Sequence, residues 1–388
     1  MLLAAWTSKL LWVYSVFAVG IALVVTAFFF GLASVRFFSV RRQTPVFAYE
    51  GDRVTVILSF APRWRIFSVS LELSDTFTPE EPLRQMKTIV VSGTASRRME
   101  FSYTGNCCKR GVYGIGPIVM RCYDPFGLFV WQRRIALFSS LAVYPAVFSV
   151  RNFPFVLGQR APRFGEQTTR QSGDYEEFYG IREYRQEDGW RRIHWRSSAR
   201  LNELTVRHFE QSSQWRVMII LDGHISLGCG RGRDTPFEYG ARIAASLARY
   251  LLMKTAGFGL HCSSRQECRI PLRKGMAQYY RVLDALARAE ADGARSCAHY
   301  LAALQHDIPP HSSLIIITLQ SQLTRALDML LEQLRIIKYI GVITIALDGG
   351  SFPPSDIAAK PSLSVPRSRR QQGYFIRCQD NLEKHFAE

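Results

Sequence analysis

The chain of 388 residues has no Cys-x-x-Cys pair and no Gly-x-x-x-x-Gly-Lys-Ser/Thr loop. The first absence removes the usual ligand spacing of a zinc site. The second removes the phosphate cradle of a P-loop ATPase. Lysine is scarce, at eight of the 49 basic residues, and acids number only 32, so the formal net charge is +17. A cationic excess built from arginine meets carboxylates and phosphates as a planar fork. Its possible partners are nucleic acid, anionic lipid or an acidic protein. The positives are spread along the chain rather than gathered in one arm, which disfavours nucleic acid and favours a face turned toward an anionic leaflet. The eight cysteines form no framework: Cys107 and Cys108 are adjacent and the rest are scattered. Cysteines used this way suit a reducing compartment.

Long uncharged runs are rare as well. The clear one covers residues 10–35, LLWVYSVFAVGIALVVTAFFFGLASV. At about 1.5 Å per residue it crosses a hydrocarbon core of about 30 Å with room for tilt. It is too long for the apolar region of a signal peptide, which runs to about 7–15 residues. Trp12 and Tyr14 suit an interface. Lys9 precedes the run, and Arg36, Arg41 and Arg42 follow it. The positive-inside rule then places residues 36 onward in the cytoplasm, behind a single pass. Residues 1–44 are read as the transmembrane anchor and juxtamembrane segment.

Residues 45–148 hold short β-branched and aromatic runs, at 54–60, 69–73, 88–93 and 98–104, separated by turn formers. This pattern predicts an antiparallel β-sandwich. The DPFG at 124–127 has the proline and glycine positions of a tight turn. Residues 149–172 read as an extended linker. From 215 to 348 buried strands (216–222, 258–262, 313–319, 341–348) alternate with helical patterns (237–255, 276–291, 323–339). That alternation predicts a parallel sheet with helices on both faces. Residues 349–388 read as a polar loop and a last strand at 374–378.

The segment 173–214 opens with GDYEEFYGIREYRQEDGWRRIHWRSSAR. It mixes acids, arginines, aromatics and one histidine with no clean period. Such a mixture predicts a partly buried junction where arginines meet carboxylates or backbone carbonyls. Gly173, Glu177, Phe178, Gly180, Arg182, Glu183, Tyr184, Asp188, Arg191, Ile193, His194, Trp195, Ala199 and Arg200 fall in the order of a known signature. The chain thereby resembles the bacterial "domain of unknown function 58" family, and DPFGLF followed by VYP extends the likeness upstream. Gln186 and Glu187 stand where the family has Pro-Gly. The resemblance implies N-terminal membrane helices in the bacterial cytoplasmic membrane, a β-rich domain, and a C-terminal domain like the von Willebrand factor A fold. It further implies a MoxR-type AAA+ ATPase as partner.

In the von Willebrand factor A fold, Asp-x-Ser-x-Ser after the first strand holds Mg²⁺ or Mn²⁺. Here that place reads Asp222-Gly-His-Ile-Ser226. Asp222 and Ser226 are the candidate metal ligands, with Mg²⁺ the candidate ion. His224 replaces the middle serine, and Thr318 is followed by Leu319 and Gln320 rather than an acid. Otherwise Asp222 caps the following loop. His194 has Asp188 nearby in sequence, as a general base requires, but no nucleophile is evident and no catalytic residue is assigned. The leading expectation is a membrane-anchored cytoplasmic scaffold or adaptor without enzymatic activity. The alternatives are a metal-dependent hydrolase using the acids of 174–194 with His194, and an arginine-based binder of anionic lipid or nucleic acid.

Overall fold

A computed structural model gives the architecture. The structure describes residues 11–36, 38–62, 69–80, 85–93, 99–151, 153, 177–184, 193–201, 203–210, 215–230, 232–338, 340–352, 373–378, 380 and 382–386. Lys9, most of the linker and the polar loop at 353–372 lie outside the described residues.

Helix α1 covers Leu11–Arg36, and the part long and apolar enough to cross a membrane is Trp12–Ala33. Its side chains are largely uncovered by the rest of the chain. The chain passes from α1 into β1 (Phe38–Gln43), which pairs antiparallel with β3 (Arg53–Pro62). The short β2 (Phe47–Tyr49) lies between them in sequence. Strands β4 (Val69–Phe77), β5 (Gln85–Gly93), β6 (Met99–Asn106), β7 (Gly111–Ile115), β8 (Ile118–Tyr123), β9 (Val130–Ile135) and β10 (Ser139–Tyr144) follow. They form sheets of order β5-β4-β8-β9, β1-β3-β6 and β2-β10-β7. Both larger pairings of β4 are antiparallel, while β2 and β10 run parallel. Alternation decides which face is buried: Val54, Val56, Leu58 and Phe60 of β3 meet Leu71, Leu73 and Phe77 of β4 and Ile118, Met120 and Cys122 of β8 in one core.

A buried polar network ties these sheets together. Arg42 of β1 donates to Asp75 of β4 through Nη2 at 2.5 Å and Nε at 3.0 Å, and Tyr103 of β6 donates to the same carboxylate at 2.7 Å. Arg42 Nη1 also donates to the carbonyls of Ile115 and Leu137. Both charged side chains are fully sealed. Arg42 therefore spends its charge inside the β-domain, whereas Arg36 and Arg41 are exposed.

The second domain is built on β13 (Arg216–Leu221), β14 (Gly257–Cys262), β15 (Cys268–Arg273), β16 (Ser313–Leu319), β17 (Gly341–Leu347) and β18 (Gly373–Ile376). Their order is β15-β14-β13-β16-β17-β18. All neighbours are parallel except β14 and β15, so the sheet is mixed and the expectation of a purely parallel one is corrected at this edge. The alternating half-buried and exposed pattern of β15 explains the difference: CRIPLR closes a hairpin on β14 and keeps one face in water. Helices α3 (Pro236–Met253) and α4 (Met276–Arg288) cover one face with Val217, Ile219 and Leu221. Helices α5 (Cys297–Ala303) and α6 (Arg325–Lys338) cover the other with Met218 and Ile220. Thr235 caps α3 by accepting from the Glu238 amide, with Pro236 at the first helical position.

The two domains meet on α3 and α4. Glu50, after β2, accepts from Arg242 Nη2 at 2.6 Å and Nε at 3.0 Å. Arg110, before β7, forms an ion pair with Glu238 at 2.7 Å, with both side chains 4% exposed. It also donates to the carbonyl of Leu286 and lies over the Phe237 ring. Phe148 and Phe153 then join the α/β core, stacking on Phe386 and Tyr374 at 5.5 Å.

Candidate functional site

Strand β13 lies at the switch point of the sheet, with β14 on one side and β16 on the other, and ligands of open α/β sheets sit beyond such carboxyl ends. The residue there is Asp222, which is wholly buried. Its Oδ1 accepts from the His224 amide at 3.0 Å and the Ser263 hydroxyl at 3.2 Å, and its Oδ2 accepts from Thr318 Oγ1 at 2.6 Å. Burial raises its pKa above the ordinary carboxylate value, opposed by the bonds from Thr318, the His224 amide and Ser263.

The space beyond Asp222 is filled by backbone. A methyl group on Gly223 would stand 2.6 Å from the Ser264 nitrogen. Gly293 donates to the Gly223 carbonyl at 2.8 Å, and its own carbonyl accepts from Ile225 at 2.9 Å. His224 Nδ1 accepts from the Ser226 amide at 3.2 Å and lies 2.8 Å from Ser226 Oγ. The structure thus brings Asp222 and Ser226 to one loop, with their oxygens engaged by neighbours. Mg²⁺ requires near-octahedral oxygen ligation. A single sealed carboxylate and a histidine-bonded serine do not fit that demand, and no group of three or more His, Cys, Asp or Glu suited to a metal occurs among the described residues.

A pH prediction follows from Asp222. Its native pKa is raised, so between the ordinary value of 3.8 and that raised value the folded protein holds a proton that the unfolded chain releases. Stability then falls as pH rises through this window. Asp222→Asn removes the titration, with Thr318 Oγ1 free to reverse its role as donor. Urea midpoints measured across acidic pH are expected to lose this falling component in the variant; an identical pH slope in both proteins contradicts the assignment.

The signature segment forms its own small unit. Strand β11 (Glu177–Glu183) pairs antiparallel with β12 (Thr205–Glu210), shifting register between Phe178 and Gly180. Backbone places Glu177, Phe178, Gly180, Arg182 and Glu183 on β11, and Tyr184 continues it by donating to the Leu204 carbonyl. Gly173, Asp188 and Arg191 lie outside the described residues. Helix α2 covers Trp195–Leu201. Ile193 is buried beneath it, and Ser198 anchors it by accepting from the Thr205 amide at 2.9 Å. His194 Nδ1 lies 2.6 Å from Ser197 Oγ, and the His194 carbonyl accepts from the amides of Ser197 and Ser198. His194 thus opens the helix. The outward positions of α2 are Trp195, which is 63% exposed, Arg196, Ala199 and Arg200.

Part of the chain resembles a known sequence family. Residues 180–344 match the family described as "Protein of unknown function DUF58". The DUF58 match takes in α2, the β11–β12 ribbon from Gly180 onward and the sheet as far as the middle of β17. The curated "Uncharacterized protein YeaD" of Bacillus subtilis (strain 168) is 24% identical over 206 residues, which is 53% of this chain and 49% of that protein. The chain thus spans about half the length of this relative. Among solved structures, the Deinococcus radiodurans RO (RSR) protein aligns with a TM-score of 0.27 at 16% identity, covering 45% of this chain and 33% of its own. The CARDB domain of the PF1109 protein from Pyrococcus furiosus, in complex with di-metal ions, aligns at 0.19 and 11% identity, covering 27% and 91%. Neither reaches a TM-score from which a shared fold follows.

The pairs at the domain junction escaped sequence reasoning. Glu50, Arg110, Glu238 and Arg242 carry no motif, and the partners of each pair are far apart in the chain. The one available signal was Glu238 and Arg242 at i and i+4 on one helix pattern.

Proposed function

We propose that the protein is a membrane-anchored cytoplasmic adaptor whose α2 face docks a MoxR-type AAA+ ATPase. The observation that carries the reading is Trp195: a tryptophan left in solvent, flanked by Arg196 and Arg200, within the segment that matches DUF58. Exposed tryptophan and arginine are the residues most enriched in binding hot spots. The described junction between the domains is closed by other residues, so Trp195 is free of that task. The partner class comes from the family resemblance. The strand order of the second domain is the 3-2-1-4-5-6 of doubly wound sheets with one antiparallel edge, which supports a von Willebrand factor A-like domain. The apolar helix Trp12–Ala33 followed by exposed Arg36 and Arg41 supports a single pass through the bacterial cytoplasmic membrane with the remainder of the chain inside.

The test separates docking from folding. Trp195→Ala is expected to change stability by no more than about 0.5 kcal/mol, as surface substitutions do. The same variant is expected to weaken ATPase binding by at least about 2 kcal/mol, roughly 30-fold. A fall in melting temperature with binding intact overturns the docking role.

A further inference from the structure

We infer that the β8–β9 hairpin tip is a second membrane contact, inserted into the bilayer beside α1 through Phe126, Leu128 and Val130. The inference rests on α1 being a membrane span.

Direction is the first observation. Phe28 of α1 meets Phe129 at 5.6 Å and Trp131 at 4.9 Å between ring centroids. A methyl on Gly31 would collide with the Trp131 ring. Farther along, Arg133 Nη1 donates to the Arg36 carbonyl at 3.5 Å. As β9 advances from 129 to 133, its neighbours on α1 advance from 28 to 36. The hairpin tip at 124–128 therefore points back along α1, toward the centre of the apolar span. Phe28 itself lies inside the span Trp12–Ala33. Each strand residue adds about 3.3 Å, so the tip reaches roughly 7–10 Å past Phe129 in that direction.

Chemistry agrees with the direction. Phe126, Leu128 and Val130 are each more than half exposed among the described residues. A turn entering lipid must satisfy its own backbone. Here Asp124, itself buried, does so: Oδ2 accepts from the Phe126 amide at 2.9 Å, Oδ1 accepts from the Phe129 amide at 2.6 Å, and its carbonyl accepts from Gly127. Gly127 at φ +70° allows the tight turn without strain. Behind the apolar tip, Arg36, Arg133 and Arg134 are exposed at the level where α1 leaves its apolar span. Arginines at that level meet anionic headgroups. An apolar tip with a basic collar, continuous with a membrane span, fits a bilayer surface rather than a soluble partner. Two attachment points would also fix the tilt of the β-domain against the membrane.

The experiment uses the full chain in nanodiscs of phosphatidylcholine and phosphatidylglycerol. The photo-crosslinking residue p-benzoylphenylalanine is placed singly at 126, 128, 19 or 337. Val19 lies mid-span, and Ile337 is an exposed apolar residue of α6 in the α/β domain. The expected result is lipid adducts from 126 and 128 at a yield comparable with 19, and none above background from 337. Adducts at 19 without adducts at 126 and 128 overturn the hairpin contact and leave the span standing. Protein–protein adducts at 126 and 128 overturn it in favour of a second copy. Failure at 19 as well overturns the span, and the hairpin contact with it.

Discussion

Asp75→Ala destabilises the β-domain by about 3–5 kcal/mol, the loss expected when one partner of a sealed ion pair is removed. The variant leaves the Arg42 guanidinium with no counter-charge in a site where both side chains are fully buried. It also strips Tyr103 of its acceptor. Arg42 retains the carbonyls of Ile115 and Leu137 and the Ser139 hydroxyl, which cannot neutralise it. Replacing both partners with apolar residues, as in Arg42→Met with Asp75→Leu, is expected to cost much less, because no charge is then stranded. Hydrogen exchange in mild detergent reads the effect locally. Amides of β3, β4 and β6 should lose protection in Asp75→Ala while those of β13 and β16 keep it. Wild-type protection in β4 would show that the network contributes little.

Glu238→Ala is the second large effect. Glu238 sits at the start of α3, 4% exposed, against Arg110 of the β-domain at 2.7 Å and Lys109 at 3.6 Å. Its removal strands Arg110 against the Leu286 carbonyl and the Phe237 ring. The loss is again about 3–5 kcal/mol, and it falls on the junction rather than on either core. Calorimetry of the full chain is expected to show the two domains melting farther apart in temperature than in wild type. Glu238→Gln, which keeps an acceptor for Arg110 Nη2, is expected to separate them less. An unchanged calorimetric profile in Glu238→Ala contradicts this account of the junction, and would shift the weight to Glu50 and Arg242.

Periodicity made most of the elements legible. SLIIITL at 313–319 became β16 over the same residues, because a continuous apolar run in an α/β chain must be covered on both faces. The helical patterns became α3, α4 and α6 within a few residues of their expected ends. What the pattern concealed has physical causes. β1 directly follows the long apolar helix, and its FSVRRQ reads as a charged flank rather than a strand, because Arg42 is the buried member and its partner Asp75 is remote in sequence. β15 holds a proline and alternating arginines, which an edge strand tolerates and a central one does not. β11 and β12 pair across the aromatic-rich insert, where propensity is masked by function-like composition. At the candidate site, the sequence placed Asp222 and Ser226 correctly at a strand end. It could not show that Thr318 and Ser263 would occupy the carboxylate, since both come from other strands.

The most direct test of the adaptor reading is recovery of the tagged full-length protein from its native membrane in mild detergent with nucleotide, with mass spectrometry of what accompanies it. The account predicts a MoxR-type AAA+ ATPase recovered with wild type and lost with Trp195→Ala at unchanged melting temperature. Wild-type protein recovered without any such ATPase would contradict it.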